Sequence, residues 1–142
     1  MLGACQVVEP AAGAAPAALE QWSGLRSGVT ITSHRVLRDA TGWNAFWQGV
    51  QQPAPRAFDP AREQAVAVFL GERRTGGYTV RVEGVVPQGG RLVVTYRESR
   101  PPRGTLVAQE ITSPWALVVV ARTELPVEIQ ADAPSVPSPA KK

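Results

Sequence analysis

The chain has 142 residues, with 15 Lys and Arg against 12 Asp and Glu, a formal charge of +3, one cysteine and one histidine. That length holds one domain with tails rather than two. A single cysteine excludes an internal disulfide framework, and no apolar run reaches the roughly 18–20 residues of a membrane-spanning helix. Residues 22–127 carry thirteen arginines against eight carboxylates, but the two signs interleave and only Arg73 and Arg74 are adjacent. The pattern reads as a mixed-charge surface, and nucleic acid is not an expected partner.

In chain order, residues 1–21 open on Leu2-Gly3-Ala4-Cys5 and continue in Ala, Pro, Gly and Val. The tetrapeptide resembles a bacterial lipobox, in which small residues precede a cysteine that receives lipid. A complete export signal would need basic and apolar regions ahead of it. The alternative is a chance cysteine in a disordered end. The stretch that follows has the composition of a tether. Ser27–Thr32 carries a short strand signal bounded by glycine and serine. Thr41 can cap a short helix whose Trp43, Phe46 and Trp47 share one face, a core anchor rather than a ligand box. Gly49–Pro55 is a loop, and Asp59-Pro60 fits a turn or a brief helical start.

From there the pattern is β. Gln64–Leu70 is apolar without alternation, as in a strand buried on both faces. Gly71 breaks it into Glu72-Arg73-Arg74 and then Thr75-Gly76-Gly77-Tyr78. Tyr78, Val80 and Val82 alternate with polar residues, Pro87–Gly90 turns, and Leu92–Tyr96 returns as the second arm of a hairpin. Pro101 and Pro102 keep residues 98–104 out of a central strand. Thr105–Ile111 reads as a weaker strand, Thr112–Trp115 as a tight break, and Ala116–Ala121 as a second fully apolar strand. Residues 128–142 return to Ala, Pro and Ser and read as a disordered tail. The expected fold is α+β, mainly β: an antiparallel sheet or small sandwich of about five or six strands with one short aromatic-rich helix near the N-terminus, occupying residues 22–127.

Catalytic chemistry finds little to work with. Ser33, His34 and Asp39 are near in sequence, but no nucleophile-elbow glycines flank the serine. Cys5 and His34 are the chain's whole stock of thiol and imidazole ligands, the carboxylates lack calcium-loop spacing, and a strand rather than a helix follows the glycine pair. A non-catalytic protein with neither metal nor cofactor is expected. What remains is a set of glycine- or proline-shaped loops carrying aromatic and arginine side chains, the residue types enriched in binding hot spots. The candidate partner-binding residues are Arg73, Arg74, Thr75, Gly76, Gly77, Tyr78, Arg103, Pro114 and Trp115. For Tyr78 and Trp115, capping the ends of the sheet is an equal reading.

The succession VAVFLGERRTGGYTVRV, a glycine turn with LVVTY, a proline-rich loop and ITSPWALVVV resembles the PrcB C-terminal domain family, protease complex subunit-type proteins of bacteria. The resemblance runs roughly from Trp22 to Arg122. It is most specific at Gly71–Tyr78 and Thr112–Trp115, where Trp115 departs from the family's more usual aromatic residue. It implies an exported, cell-envelope protein with a lipid anchor at Cys5. It also implies a non-catalytic role in supporting, assembling or stabilising a secreted protease complex through a protein partner. A fainter similarity joins Thr75–Tyr78 and Ser113–Trp115 to chagasin-type inhibitors of cysteine proteases, so direct protease inhibition is an alternative, as is a structural or sugar-binding envelope module. In a simple meander Ser113–Trp115 would lie at the end of the sheet opposite the glycine loop, and the inhibitor reading needs a crossover near Thr105–Ile111.

Overall fold

The computed structural model describes residues 20–136. The proposed lipobox with Cys5 lies outside them, as do residues 137–142 of the expected tail. Seven strands and one helix follow in the order β1 (Glu20–Gly24), β2 (Ser33–Leu37), α1 (Ala40–Gly49), β3 (Glu63–Phe69), β4 (Thr79–Gln88), β5 (Arg91–Ser99), β6 (Trp115–Ala121) and β7 (Val127–Ala131). They build two sheets, β1-β6-β3-β2 and β4-β5-β7. The fold is mainly β with one short helix, as the composition of the elements led us to expect.

The first sheet is the middle of three layers, because its central strands β3 and β6 are apolar on both faces. Ala65, Ala67 and Phe69 of β3, with Trp115 and Leu117 of β6, meet Trp43, Phe46 and Trp47 of α1. The intervening Val66, Val68, Ala116 and Val118 meet Val80, Val82 and Val94 of the second sheet. The absence of alternation in these two strands follows directly from having a layer on each side. All four tryptophans join one edge-to-face cluster under the helix, with Trp22 5.7 Å from Trp47 and Trp47 5.7 Å from Trp115, ring centre to ring centre. Such contacts add to the large apolar area each ring buries.

Several local expectations are corrected. Ser27–Thr32 is irregular, and the strand begins at Ser33, so His34 sits on the outer strand β2. Asp39, not Thr41, caps α1: its carboxylate accepts the Gly42 N–H at 2.7 Å. No strand forms over Thr105–Ile111. The ordered fold also passes the expected end at Val127, because β7 pairs in parallel with β5, Leu92 opposite Val127 and Tyr96 opposite Ala131. The simple meander gives way to a crossover in which the chain leaves β5 in one sheet and enters β6 in the other.

The two sheets are joined along one side by a side chain. The Gln21 amide donates to the Val82 carbonyl at 2.9 Å and accepts the Val82 N–H at 3.1 Å. It occupies the edge of β4 where the pairing with β5 shifts by a residue between Val82 and Gly84. A backbone pair left open at a bulge is thus satisfied by an amide that imitates a neighbouring strand.

Candidate functional site

Strand directions place the ends of β1, β3, β5 and β7 and the starts of β2, β4 and β6 at one pole of the sandwich. The connections 25–32, 70–78 and 100–114, and the segment after β7, therefore converge there. The glycine loop does share this pole with its expected neighbour, residues 100–104. Gly77 has φ of +94°, and a Cβ on it would lie 2.9 Å from Pro101 and 3.0 Å from Val107. Gly71 has φ of +83°, and a Cβ there would meet the Thr30 carbonyl and the Thr32 N–H at 2.9 Å. Both glycines combine left-handed backbone with a close approach that only hydrogen at Cα permits.

The Thr112–Trp115 block is the joint that holds these loops together. Thr112 exchanges backbone hydrogen bonds with Arg73 at 2.8 and 2.9 Å, and its hydroxyl donates to the Thr75 carbonyl at 3.0 Å. The Ser113 hydroxyl oxygen accepts the N–H groups of Ser27 and Gly28 at 2.8 and 3.0 Å. The Pro114 carbonyl accepts the Leu70 N–H at 3.0 Å. Trp115 then turns into the aromatic cluster, where it is fully buried. Ser113 and Thr112 are buried as well, so each polar group they carry is used inside the fold.

The candidate residues accordingly separate. Arg73 is a strut: its Nε donates to Glu98 at 2.8 Å, its Nη1 to the carbonyls of Leu70 and Glu72, and its guanidinium stands 5.8 Å over the Tyr78 ring. Glu98, the carboxylate it meets, is buried and also lies 3.5 Å from Arg100. A charge in that position is held by its hydrogen bonds and partners rather than by solvent. Gly76 is buried, with its N–H on the Ala108 carbonyl at 2.9 Å, and Tyr78 and Thr75 are half-buried. Pro114 and Trp115 present no surface for a partner, which corrects their place among the binding residues. Arg74, Gly77 and Arg103 are exposed.

Sequence reasoning passed over the apolar residues of the same pole. Leu25, Ile31, Leu106, Ile111 and Val136 are five of the six large apolar residues exposed among the described residues, Leu106 at 98% and Ile31 at 73%. Each is beside a residue bonded into the loop framework: Ser113 donates its N–H to the Leu25 carbonyl, and Ser135 its N–H to the Glu98 carbonyl. Arginines occur on the same connections. Arg26 pairs with Glu110 at 2.8 Å, while Arg74 and Arg103 make no ion pair among the described residues. The signal available in the sequence was an isolated Leu or Ile inside otherwise polar connections.

A helix-backed β-sandwich with a rigid, loop-built, partly apolar pole is the class of domain these observations define. Residues 65–121 match the family model described as PrcB C-terminal. The match covers somewhat less than half of the chain and supports the resemblance read from the motifs. Its span takes in β3 to β6, hence both the glycine loop and the Thr112–Trp115 joint. No curated protein and no solved structure matches the chain.

Among the described residues no helix is long and apolar enough to cross a membrane, and no three His, Cys, Asp or Glu side chains gather as a metal site. The chagasin-like wedge meets a specific difficulty. Its two loops do reach one pole through the crossover, but the Trp115 ring lies inside the aromatic cluster.

Proposed function

We propose that this is a non-catalytic, protein-binding domain of the cell envelope that recognises its partner with the loop pole. A complex containing a secreted protease is the assembly implied by the family resemblance. The observation that carries the reading is the gathering of five exposed apolar side chains on loops fixed by buried hydrogen bonds and positive-φ glycines. Exposed apolar surface concentrated at one place marks an interaction site more often than scattered residues do. Loops already held in one conformation lose little entropy on binding.

The complementary partner surface is aliphatic with carboxylates at its margin, because the exposed Arg74 and Arg103 belong to the same pole as the apolar residues. A tether from Cys5 would join the fold at Glu20, at the opposite pole, and an anchored domain would present its loops away from the lipid. Thr75, Gly76 and Tyr78 support the surface from beneath, and Gly77, Arg74 and Arg103 belong to it. The test is co-purification of the full chain from native envelopes, comparing wild type with the Leu106→Asp/Ile111→Asp double variant. The reading expects a stoichiometric partner that the double variant loses while its thermal unfolding is unchanged. A partner retained by that variant would contradict it.

A further inference from the structure

A second candidate site lies at the other pole. Where β4 and β5 diverge from the end of β6 and the connection after it, the sandwich opens into a cavity of about 430 Å³. Its walls are aliphatic, from Val85, Pro87, Leu92, Val120 and Leu125. The volume falls in the roughly 300–1,000 Å³ range of small-molecule sites, and no aromatic ring lines it. Val86, the one large exposed apolar residue among the described residues that is not at the loop pole, adjoins this wall in sequence and is 48% exposed. Beside the cavity, the fully buried Gln64 uses its amide oxygen on the N–H of the lining residue Thr123, and its amide nitrogen has no partner.

The rim carries one carboxylate and one guanidinium, and they are not equivalent. Glu20 is already engaged by Nε and Nη2 of Arg56, each at 2.9 Å, in a guanidinium that it shares with Glu63. Arg122 donates from Nη1 to the carbonyls of Arg38 and Pro60 and forms no ion pair among the described residues. Arg122 is thus the lining side chain whose charge has no ion-pair partner among the described residues, and it is the donor available to an anionic head group.

From the aliphatic walls, the volume and this rim we infer that the cavity binds a single unbranched acyl chain with its carboxylate at Arg122. Branched or flat ligands lack the match: an apolar slot without ring stacking favours a flexible alkyl chain, and each buried methylene adds about fourfold in affinity. The site is independent of the loop pole, and either can fail without the other.

The experiment titrates the full chain with sodium dodecanoate and 1-dodecanol below their micellar or solubility limits, reading methyl resonances by NMR. Saturable shifts at Val85, Leu92 and Leu125, with none at Leu106 or Ile111, are expected. Decanoate should bind more weakly by about fourfold per missing methylene. Arg122→Gln should weaken dodecanoate about tenfold and leave dodecanol unchanged, since a charge-assisted hydrogen bond is removed, and Arg122→Lys should restore most of the loss. Leu125→Trp, which fills the mouth from an irregular connection rather than from a strand, should abolish the shifts. No saturable shift, shifts spread over both poles, or equal losses for acid and alcohol in Arg122→Gln would overturn the inference. So would contacts from residues 1–19 to these methyls in the ligand-free chain, which would mean that the protein fills the cavity itself.

Discussion

Individual residues at the loop pole are divided between those that build it and those that face outward, and the two groups respond differently to substitution. Gly77→Ala places a Cβ against Pro101 and Val107 at a φ of +94°, so it is expected to cost about 1–3 kcal/mol. Gly89→Ala is the control: its φ is +60°, but open space surrounds it, and only the smaller conformational cost of about 1 kcal/mol remains. Urea denaturation of both variants checks the difference. Trp115→Ala, in the fully buried cluster, is expected to cost about 3–5 kcal/mol. Leu106→Ala, at 98% exposure, should stay within about 0.5 kcal/mol.

Trp115 also marks the limit of what its motif could convey. A Pro-Trp pair at a tight break reads equally as a presented ring or as a buried one. The period-2 relation of Trp115 to Leu117 put it on one face of β6, but only the position of α1 decides that this face is covered. Gly24 belongs to the same packing: a Cβ on it would lie 2.7 Å from the Trp115 indole nitrogen. Nothing local in the sequence signals that requirement, since the two residues are paired across strands far apart in the chain.

At the scale of elements, the helix is where local chemistry was most legible and where one strained residue remains. Trp43, Phe46 and Trp47 face the sheet as their spacing requires. The C-terminus closes with the Gln52 N–H on the Trp47 carbonyl at 3.1 Å and the Gln51 N–H on the Gln48 carbonyl at 3.0 Å. Gln51 takes φ of +60°, the position where glycine is preferred in this type of cap. Gln51→Gly is therefore expected to raise stability by about 0.5–1 kcal/mol, measured by thermal or urea unfolding.

The strands were legible in proportion to their burial. β3 and β6 stood out as continuous apolar runs, and the β4–β5 hairpin as alternation around a glycine turn, where Gly89 and Gly90 both take positive φ. β1, β2 and β7 are five-residue strands at sheet edges with polar residues on one or both faces. Their pairing is decided by the strand beside them rather than by their own pattern. In β7 the alternation of Val127 and Ile129 with Glu128 and Gln130 was present, but the Ala- and Pro-rich tail that follows obscured it. Thr105–Ile111 failed in the opposite direction: it has strand-forming residues, but its backbone bonds locally and to the glycine loop, the Thr105 N–H on the Pro102 carbonyl and the Gly76 N–H on the Ala108 carbonyl.

At the scale of the molecule, ion pairs hold the periphery to the layers. Arg56 spans Glu20 on β1 and Glu63 on β3, at 2.9 and 2.8 Å. Arg97 links Glu83, the residue inserted at the bulge, to Asp132 beyond β7. Hydrogen bonds from Arg56 hold the Glu63 carboxyl below the usual glutamate range, and those from Arg97 do the same for Glu83. A carboxylate with a lowered folded-state pKa contributes stability that is complete above its unfolded value and is lost as pH falls through the folded one. Melting temperature should therefore drop as pH falls below about 4.3, the ordinary glutamate value. The difference between wild type and Glu63→Gln should shrink over the same interval. A constant difference down to strongly acid pH would show that the ion pair is not its source.

The sandwich as a whole sets two poles apart, and that separation gives the functional reading its sharpest consequence. The motifs located the glycine loop and its joint in the sequence, but the apolar surface they support is assembled from connections spread over the chain and emerges only with the crossover. A photo-crosslinking residue placed at Leu106 of the full chain, and in parallel at Val86, tests this directly in native envelopes. Recognition by the loop pole requires a discrete protein adduct from position 106 that is lost in the Arg74→Glu/Arg103→Glu background, with little from position 86. Adducts of equal yield from both positions, or from position 86 alone, would contradict it.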